Sequence, residues 1–356
     1  MDRRAFLKTT GAAAAAASTA GVAAAEPMLQ AREVAAPAVA KGLRRLRLAI
    51  ASRDSVSGPA DQARRLAQRI ATMSEGRYGF DIVPGAASGF AAVRAGDADL
   101  YHGSEHDHLD QHRALAYFAG LPGDRGIAAH ALSAWMLVGG GEVLWDDLAG
   151  EFGIKAMLAG HRGDQTSFLA TRRIAAMSEL AGEKVAVTGL ARAVVRGFGL
   201  EPASVAADDV AEAMTRGDVL AAELGGALTT HALGVTAAAP YCVGTSINRH
   251  GSAVSLGMRR AFWDSLGPTD QAIFAAAAAA ELQLALAEDE AHRRLLAPAA
   301  AGTWPLAAEL HRTICRVADA VVAHVAASDP RAQRINAAYM GFRHMVLGDD
   351  ATPEAV

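Results

Sequence analysis

Ala95-Gly96-Asp97-Ala98-Asp99-Leu100-Tyr101-His102 and, later, Arg216-Gly217-Asp218-Val219-Leu220-Ala221-Ala222 follow the same order of elements. In each, a helix stops at Gly-Asp and a short apolar strand begins. The sequence before each stretch matches too. Leu46-Arg47-Leu48-Ala49-Ile50-Ala51 reads as a strand entering a core. Ala63, Leu66, Ala67, Ile70 and Met73 then recur at helical spacing, opposite Arg64, Arg65 and Arg69. Phe80-Asp81-Ile82-Val83 is a further strand, ended by Pro84-Gly85. Ahead of the second stretch, Glu183 to Val187 reads as a strand and Ala191 to Phe198 as a helix stopped by Gly199. Val205 opens a strand, and Asp208 to Thr215 is an amphipathic helix. Strands alternating with helices mean parallel sheets covered by helices, an α/β fold. Two such units predict two lobes with a ligand cleft between them.

The C-terminal third reads as helical. Pro268-Thr269-Asp270 is a helix start, and an alanine-rich helix runs from it to about Leu295, too long for one lobe. Trp304 to Ala327 and Ala332 to Leu347 are two more.

The opening residues Met1-Asp2-Arg3-Arg4-Ala5-Phe6-Leu7-Lys8, the apolar run Gly11 to Ala25 and the small residues Ala23-Ala24-Ala25 have the form of a twin-arginine export signal. The run is Ala- and Gly-rich and shorter than the about 20 residues a membrane span needs. The expected organisation is a signal over 1–25, a linker over 26–42, a first lobe over 43–160 plus about 249–290, and a second lobe over 161–248 plus about 300–348. The expected location is the periplasm. A formal net charge of -4 gives no electrostatic case for nucleic acid. Cys242 and Cys315 would meet an oxidising compartment, and their pairing stays open.

Over about residues 43 to 300 the chain resembles the periplasmic receptors of TRAP (tripartite ATP-independent periplasmic) transporters, especially the branch binding 2-oxo acids and similar monocarboxylates. The resemblance rests on Gly139-Gly140-Gly141-Glu142-Val143-Leu144-Trp145-Asp146, Phe152-Gly153-Ile154-Lys155, Arg172-Arg173-Ile174, Leu180-Ala181-Gly182-Glu183-Lys184-Val185, Gly217-Asp218 and Phe262-Trp263-Asp264-Ser265-Leu266, in that order. It implies a type II-like periplasmic-binding-protein fold with a long helix spanning both lobes. It implies binding and closure rather than enzyme chemistry, with a small organic acid as ligand, TRAP membrane subunits as partners and, as in some relatives, a homodimer through C-terminal helices.

The resemblance also marks the site. The family arginine that grips the ligand carboxylate is replaced by Ala186, and a usual proline by Thr188. Arg192, at the start of the next helix, and Arg162 are the candidate replacements, with His161 beside the latter. Gln165 aligns with a glutamine that touches ligand and metal. Glu223, a backbone carbonyl of Leu224 and Asn248 complete an oxygen set suited to Na⁺ or Ca²⁺, although no cofactor is required. His106 and Asp107 fall where the family has aromatic pocket residues. The run from His102 to His112 holds His102, His106, His108 and His112. It leaves open a transition-metal site, and with it a metallohydrolase, while Ala186 and Leu224 leave open a degenerate member acting as a metal-binding or sensor protein. No Ser-His-Asp arrangement, phosphate-binding glycine loop or zinc-type cysteine pair is visible.

Overall fold

The computed structural model describes residues 42–53, 58–86, 88–165, 167–296 and 307–348. The expected export signal, most of the linker and Trp304 lie outside the described residues.

Strands β1 (Arg44–Ile50), β2 (Tyr78–Val83), β3 (Leu100–Gly103) and β4 (Ile154–His161) build the first sheet. β5 (Leu169–Ala170), β6 (Lys184–Val187), β7 (Glu201–Pro202), β8 (Ala221–Glu223) and β9 (Tyr241–Cys242) build the second, and β10 (Ala253–Arg259) returns to the first. The orders are β2-β1-β3-β10-β4 and β7-β6-β8-β5-β9. β10 runs antiparallel between β3 and β4, and β5 antiparallel between β8 and β9. The three-strand parallel core of each sheet is the repeated α/β unit, and the antiparallel strands carry the chain between the two lobes.

The helix-stop reading holds at both Gly-Asp points. Gly96 and Gly217 adopt φ 83° and 82°, the left-handed conformation that glycine enters without a Cβ penalty. Two strand positions shift. β3 and β8 each begin two residues later than Ala98 and Val219. The strand expected at Val205 lies earlier, at Glu201–Pro202, and the chain from Ala203 onward lines the cleft.

Helix Pro59–Met73 buries Ala63, Leu66, Ala67 and Ile70 against Phe274, Ala277 and Ala278 of the long helix Pro268–Leu296. Two arginines on its other face are not idle solvent groups. Arg65 and Arg69 reach Glu281, which is fully buried on the long helix, at 2.6 and 3.2 Å. That helix lies along the first lobe and also reaches the second. There the Asp289 carboxylate accepts Asp164 N–H (3.2 Å), and Gly226 packs against it.

Helix Ala307–Ala326 sits in two cores. Leu310, Ile314 and Ala318 join the second lobe's core, and Val322 and Val325 the first lobe's. The last helix, Pro330–Leu347, corrects the expected assignment of residues 300–348 to the second lobe. Its Ala332, Ile335 and Tyr339 pack in the first lobe, with Tyr339 edge-on to Trp135 at 5.0 Å. Aromatic packing decides this, since Trp135, Trp145 and Phe118 already form a stack there. Cys242 and Cys315 are both free, on β9 and on helix Ala307–Ala326. No described helix is long and apolar enough to cross a membrane.

Candidate functional site

A cleft of about 580 Å³ lies where the parallel strands of the two sheets end. Ligands of open α/β sheets bind at such carboxyl ends. The first lobe contributes Ile50 to Arg53 after β1, and His102, Gly103, His106 and Asp107 at and after β3. The second contributes Ala186 to Gly189 at the end of β6, then Arg192, the segment Ala203 to Asp208, and Leu224 after β8. Most of the wall is small and apolar, with Ala51, Ala86, Ala186, Ala203, Val205 and Val254 among its residues.

The lobes touch across this cleft. Arg53 donates its backbone N–H to Asp208 (2.6 Å) and its guanidinium to Asp209 (2.8 Å). Gly189 lies so close to His106 that a Cβ there would stand 2.5 Å from the imidazole, and its φ of 61° also favours glycine.

The charges of the wall are nearly all spoken for. Arg162 pairs with Asp107 at 2.7 Å. Burial pushes the Asp107 carboxyl up, but Arg162 and His108 outweigh it and hold it below its ordinary range. His102 is pushed down to about 4 by burial, although the Ala159 carbonyl accepting from its Nε2 at 3.2 Å works the other way. His106 is lowered by burial too, with its Nε2 on the Gly120 carbonyl at 2.7 Å. Both are neutral imidazoles at neutral pH. Arg192 differs. Its Nη1 donates to the Ala203 carbonyl (3.0 Å), and among the described residues no carboxylate pairs with it. Burial, and then Arg196, depress it, which favours a visiting anion.

Behind Leu224 lies a polar corner. The Glu223 carboxylate, 2 % exposed, accepts the backbone N–H groups of Ile247 and Asn248, both at 2.7 Å. Burial nevertheless pushes it up to about 7. Nearby, the Ser246 hydroxyl donates to the Gln165 carbonyl (2.7 Å), and Gln165 N–H to the Arg249 carbonyl (3.0 Å). The side-chain oxygens of Gln165 and Asn248, and the Asn248 amide nitrogen, are buried with no hydrogen-bond partner among the described residues. Carboxylate and amide oxygens are the donor types that suit a hard cation such as Na⁺ or Ca²⁺.

The sequence-predicted residues therefore fall into groups. His106, Asp107, Arg162 and Arg192 share the cleft wall with Ala186 and Thr188. Gln165, Glu223, Leu224 and Asn248 are joined through the segment from Ser246 to Arg249. His161 is not on the wall. It is buried at the end of β4, its Nδ1 accepting Gly163 N–H at 3.0 Å.

The histidine run does not converge. His102 faces the Ala159 carbonyl, His106 the Gly120 carbonyl, His108 the Ser88 hydroxyl and His112 the Asp329 carboxylate. Glu105–His108 forms a 3-10 helix, which turns alternate side chains apart. This removes the geometric basis for a transition-metal site there, and for the metallohydrolase reading built on it. Sequence reasoning missed Arg53, Asp208 and Asp209 as the contacts across the cleft. The polar segment after β1 was the available signal.

The fold and site define a two-lobed solute-binding protein of the periplasmic type. The chain belongs to the bacterial extracellular solute-binding protein family 7 (DctP), whose model matches residues 59–297. It is 29 % identical over 186 residues to the monocarboxylate 2-oxoacid-binding periplasmic protein of Nostoc sp., and that match spans about half of each chain. Among solved structures it resembles a TRAP transporter solute-binding protein from Bordetella bronchiseptica (TM-score 0.78, 22 % identity, 85 % of this chain and 93 % of that one). That protein is a dimer of mixed occupancy with copurified calcium and picolinate in one active site. A TRAP solute-binding protein from Colwellia psychrerythraea, with bound calcium and pyruvate, is also similar (TM-score 0.75, 22 % identity, 85 % and 95 % covered). A third, from Pseudoalteromonas atlantica, holds sodium and pyruvate (TM-score 0.75, 21 % identity, 85 % and 94 % covered).

Proposed function

We propose that this protein is the extracytoplasmic receptor of a TRAP transporter, taking a small monocarboxylate with an apolar body between its lobes and passing it to membrane subunits. The observation that carries this reading is Arg192, the cation on the cleft wall that no carboxylate of the described residues holds. A guanidinium facing an otherwise apolar wall suits one carboxylate joined to a hydrocarbon part. It takes over the role that Ala186 vacates, which favours a working receptor over a degenerate one.

The polar corner fits the cation that the similar solved proteins hold with their acids. Gln165 Oε1, a Glu223 oxygen, the Leu224 carbonyl and Asn248 Oδ1 would be its ligands. When bound, the ion supplies positive charge that offsets the acid and Glu223 together. The residues of this chain bind, orient and enclose the acid, and no turnover is assigned to them. The sequence supports export by the twin-arginine route through Arg3 and Arg4.

Calorimetric titration of the mature protein with 2-oxo and simple aliphatic monocarboxylates, in Na⁺, Ca²⁺ and cation-free buffers, tests this. Saturable binding is expected. Arg192→Ala should weaken it by about 10- to 100-fold, the worth of a charge-assisted hydrogen bond. If no acid binds, or if Arg192→Ala binds as tightly as the parent, the proposal is wrong.

A further inference from the structure

Away from the cleft, a loop of the first lobe meets the helix Ala307–Ala326. There three side chains of different chemistry, Asp124, His311 and Cys315, bring one ligand atom each to within 4.8 Å of one another. His311 and Cys315 are four residues apart on the helix and so share a face. The Cys315 Sγ lies 3.2 Å from Asp124 Oδ2 and 3.6 Å from His311 Nε2, and His311 Nε2 lies 3.8 Å from Asp124 Oδ1.

These separations can be set against a tetrahedral zinc centre. Bonds of about 2.3 Å to sulfur and about 2.0–2.2 Å to nitrogen and oxygen put neighbouring ligand atoms about 3.4–3.6 Å apart. The observed spacings bracket that range. The ligands would close on a metal by small rotations rather than by moving the backbone.

The surroundings hold the three in place. Gly123 has φ 60°, and a Cβ there would lie 3.0 Å from Ala318 Cβ, so its lack of a side chain lets the loop approach the helix. Gly123 N–H donates to the Ile247 carbonyl at 2.7 Å, and Arg343 donates to the Asp124 carbonyl at 2.6 Å. The adjacent Arg125 is taken by Asp319, at 2.5 Å, and leaves the Asp124 carboxylate alone. Thr245 Oγ1 lies 3.4 Å from His311 Nδ1. With the proton on Nδ1, facing that hydroxyl, the Nε2 lone pair is directed at the sulfur and the carboxylate. This is the outer partner that metal-binding histidines need. All three ligands are partly exposed, so an ion can enter from solvent.

We propose that Asp124, His311 and Cys315 form a binding site for Zn²⁺ or a similar borderline divalent ion, with a fourth position open to solvent. Thiolate, imidazole and carboxylate together select such an ion over Na⁺ or Ca²⁺. Binding displaces the thiol proton to solvent, and no electron is transferred. None of the three residues lines the solute cleft, and the site shares no ligand with the polar corner.

The test uses the mature protein with Co²⁺ and then Zn²⁺, and no solute. Co²⁺ bound to sulfur gives a thiolate charge-transfer absorption in the near ultraviolet that an all-oxygen site cannot give. One Co²⁺ per chain should produce it, Zn²⁺ should displace it, Cys315→Ser should abolish it and Cys242→Ser should leave it. His311→Ala should weaken Co²⁺ binding at least about tenfold, and this second variant keeps the test decisive if Cys315→Ser fails to fold. No absorption at saturating Co²⁺, absorption that survives Cys315→Ser, or unchanged affinity in His311→Ala would each overturn the site.

Discussion

β3 and β8 occupy equivalent places in the two lobes, each entering after a helix closed by Gly-Asp, yet they carry opposite chemistry at their ends. β3 brings His102 and, just beyond, His106, both neutral and anchored on carbonyl oxygens. β8 brings Glu223, a carboxylate anchored on two backbone N–H groups. The repeated unit sets where a side chain arrives. Burial disfavours the charged form on both sides, and the partner atoms work against it. The carbonyls raise the imidazoles only part of the way back and leave them neutral, whereas the two N–H groups favour the carboxylate that a cation would need.

The largest effect should come from breaking the β8 side. Glu223→Ala leaves the N–H groups of Ile247 and Asn248 buried and unpaired. The expected loss is about 2–6 kcal/mol in urea unfolding at neutral pH, from about 1–3 kcal/mol for each of the two unsatisfied groups. A loss below about 1 kcal/mol would mean that water reaches this corner and that it is not a dry cation site.

The β3 side should show itself in pH dependence. His102 stands at about 4 in the folded chain, below its ordinary value of 6.5. Above pH 6.5 its contribution to stability is fully present, and it is lost as pH falls toward 4, because the unfolded chain binds the proton first. A shift of this size is worth roughly 3 kcal/mol. His102→Gln should therefore flatten the fall in unfolding free energy between these pH values. An unchanged slope would assign the acid sensitivity to His161, which burial also pushes down to about 4.

The smallest effect belongs to the mouth, where Arg53 of one lobe meets Asp208 and Asp209 of the other. Arg53→Ala should speed solute release by no more than a few-fold in stopped-flow measurements, with the difference vanishing at high salt. A large, salt-independent change would mean that this contact governs closure and that the two strand ends do not.

Much of this was readable from the sequence. Helical and strand periodicities placed both parallel cores. The resemblance marked Ala186 and Leu224 as the places where the anion grip and the metal corner were expected to differ. The fate of the polar residues was harder to read. Nothing near Arg65 or Arg69 in the chain foretells Glu281, which lies more than 200 residues away. Histidines spaced two apart suggest a shared ligand only while the backbone is unspecified, and a 3-10 turn sends His106 and His108 to different partners. The last helix went to the first lobe because the Trp135–Phe118–Trp145 stack offers Tyr339 an edge, a contact no periodicity encodes.

The helix Ala307–Ala326, seated by Leu310 and Ile314 in one core and by Val322 and Val325 in the other, cannot follow both lobes rigidly when they part. Unseating either end would expose apolar side chains at about 1.5–3 kcal/mol each. The cheaper response is to flex the turns between Ala318 and Val322. A helix seated in this way would act as a leaf spring, bowing as the lobes part and drawing them back together when the load is released.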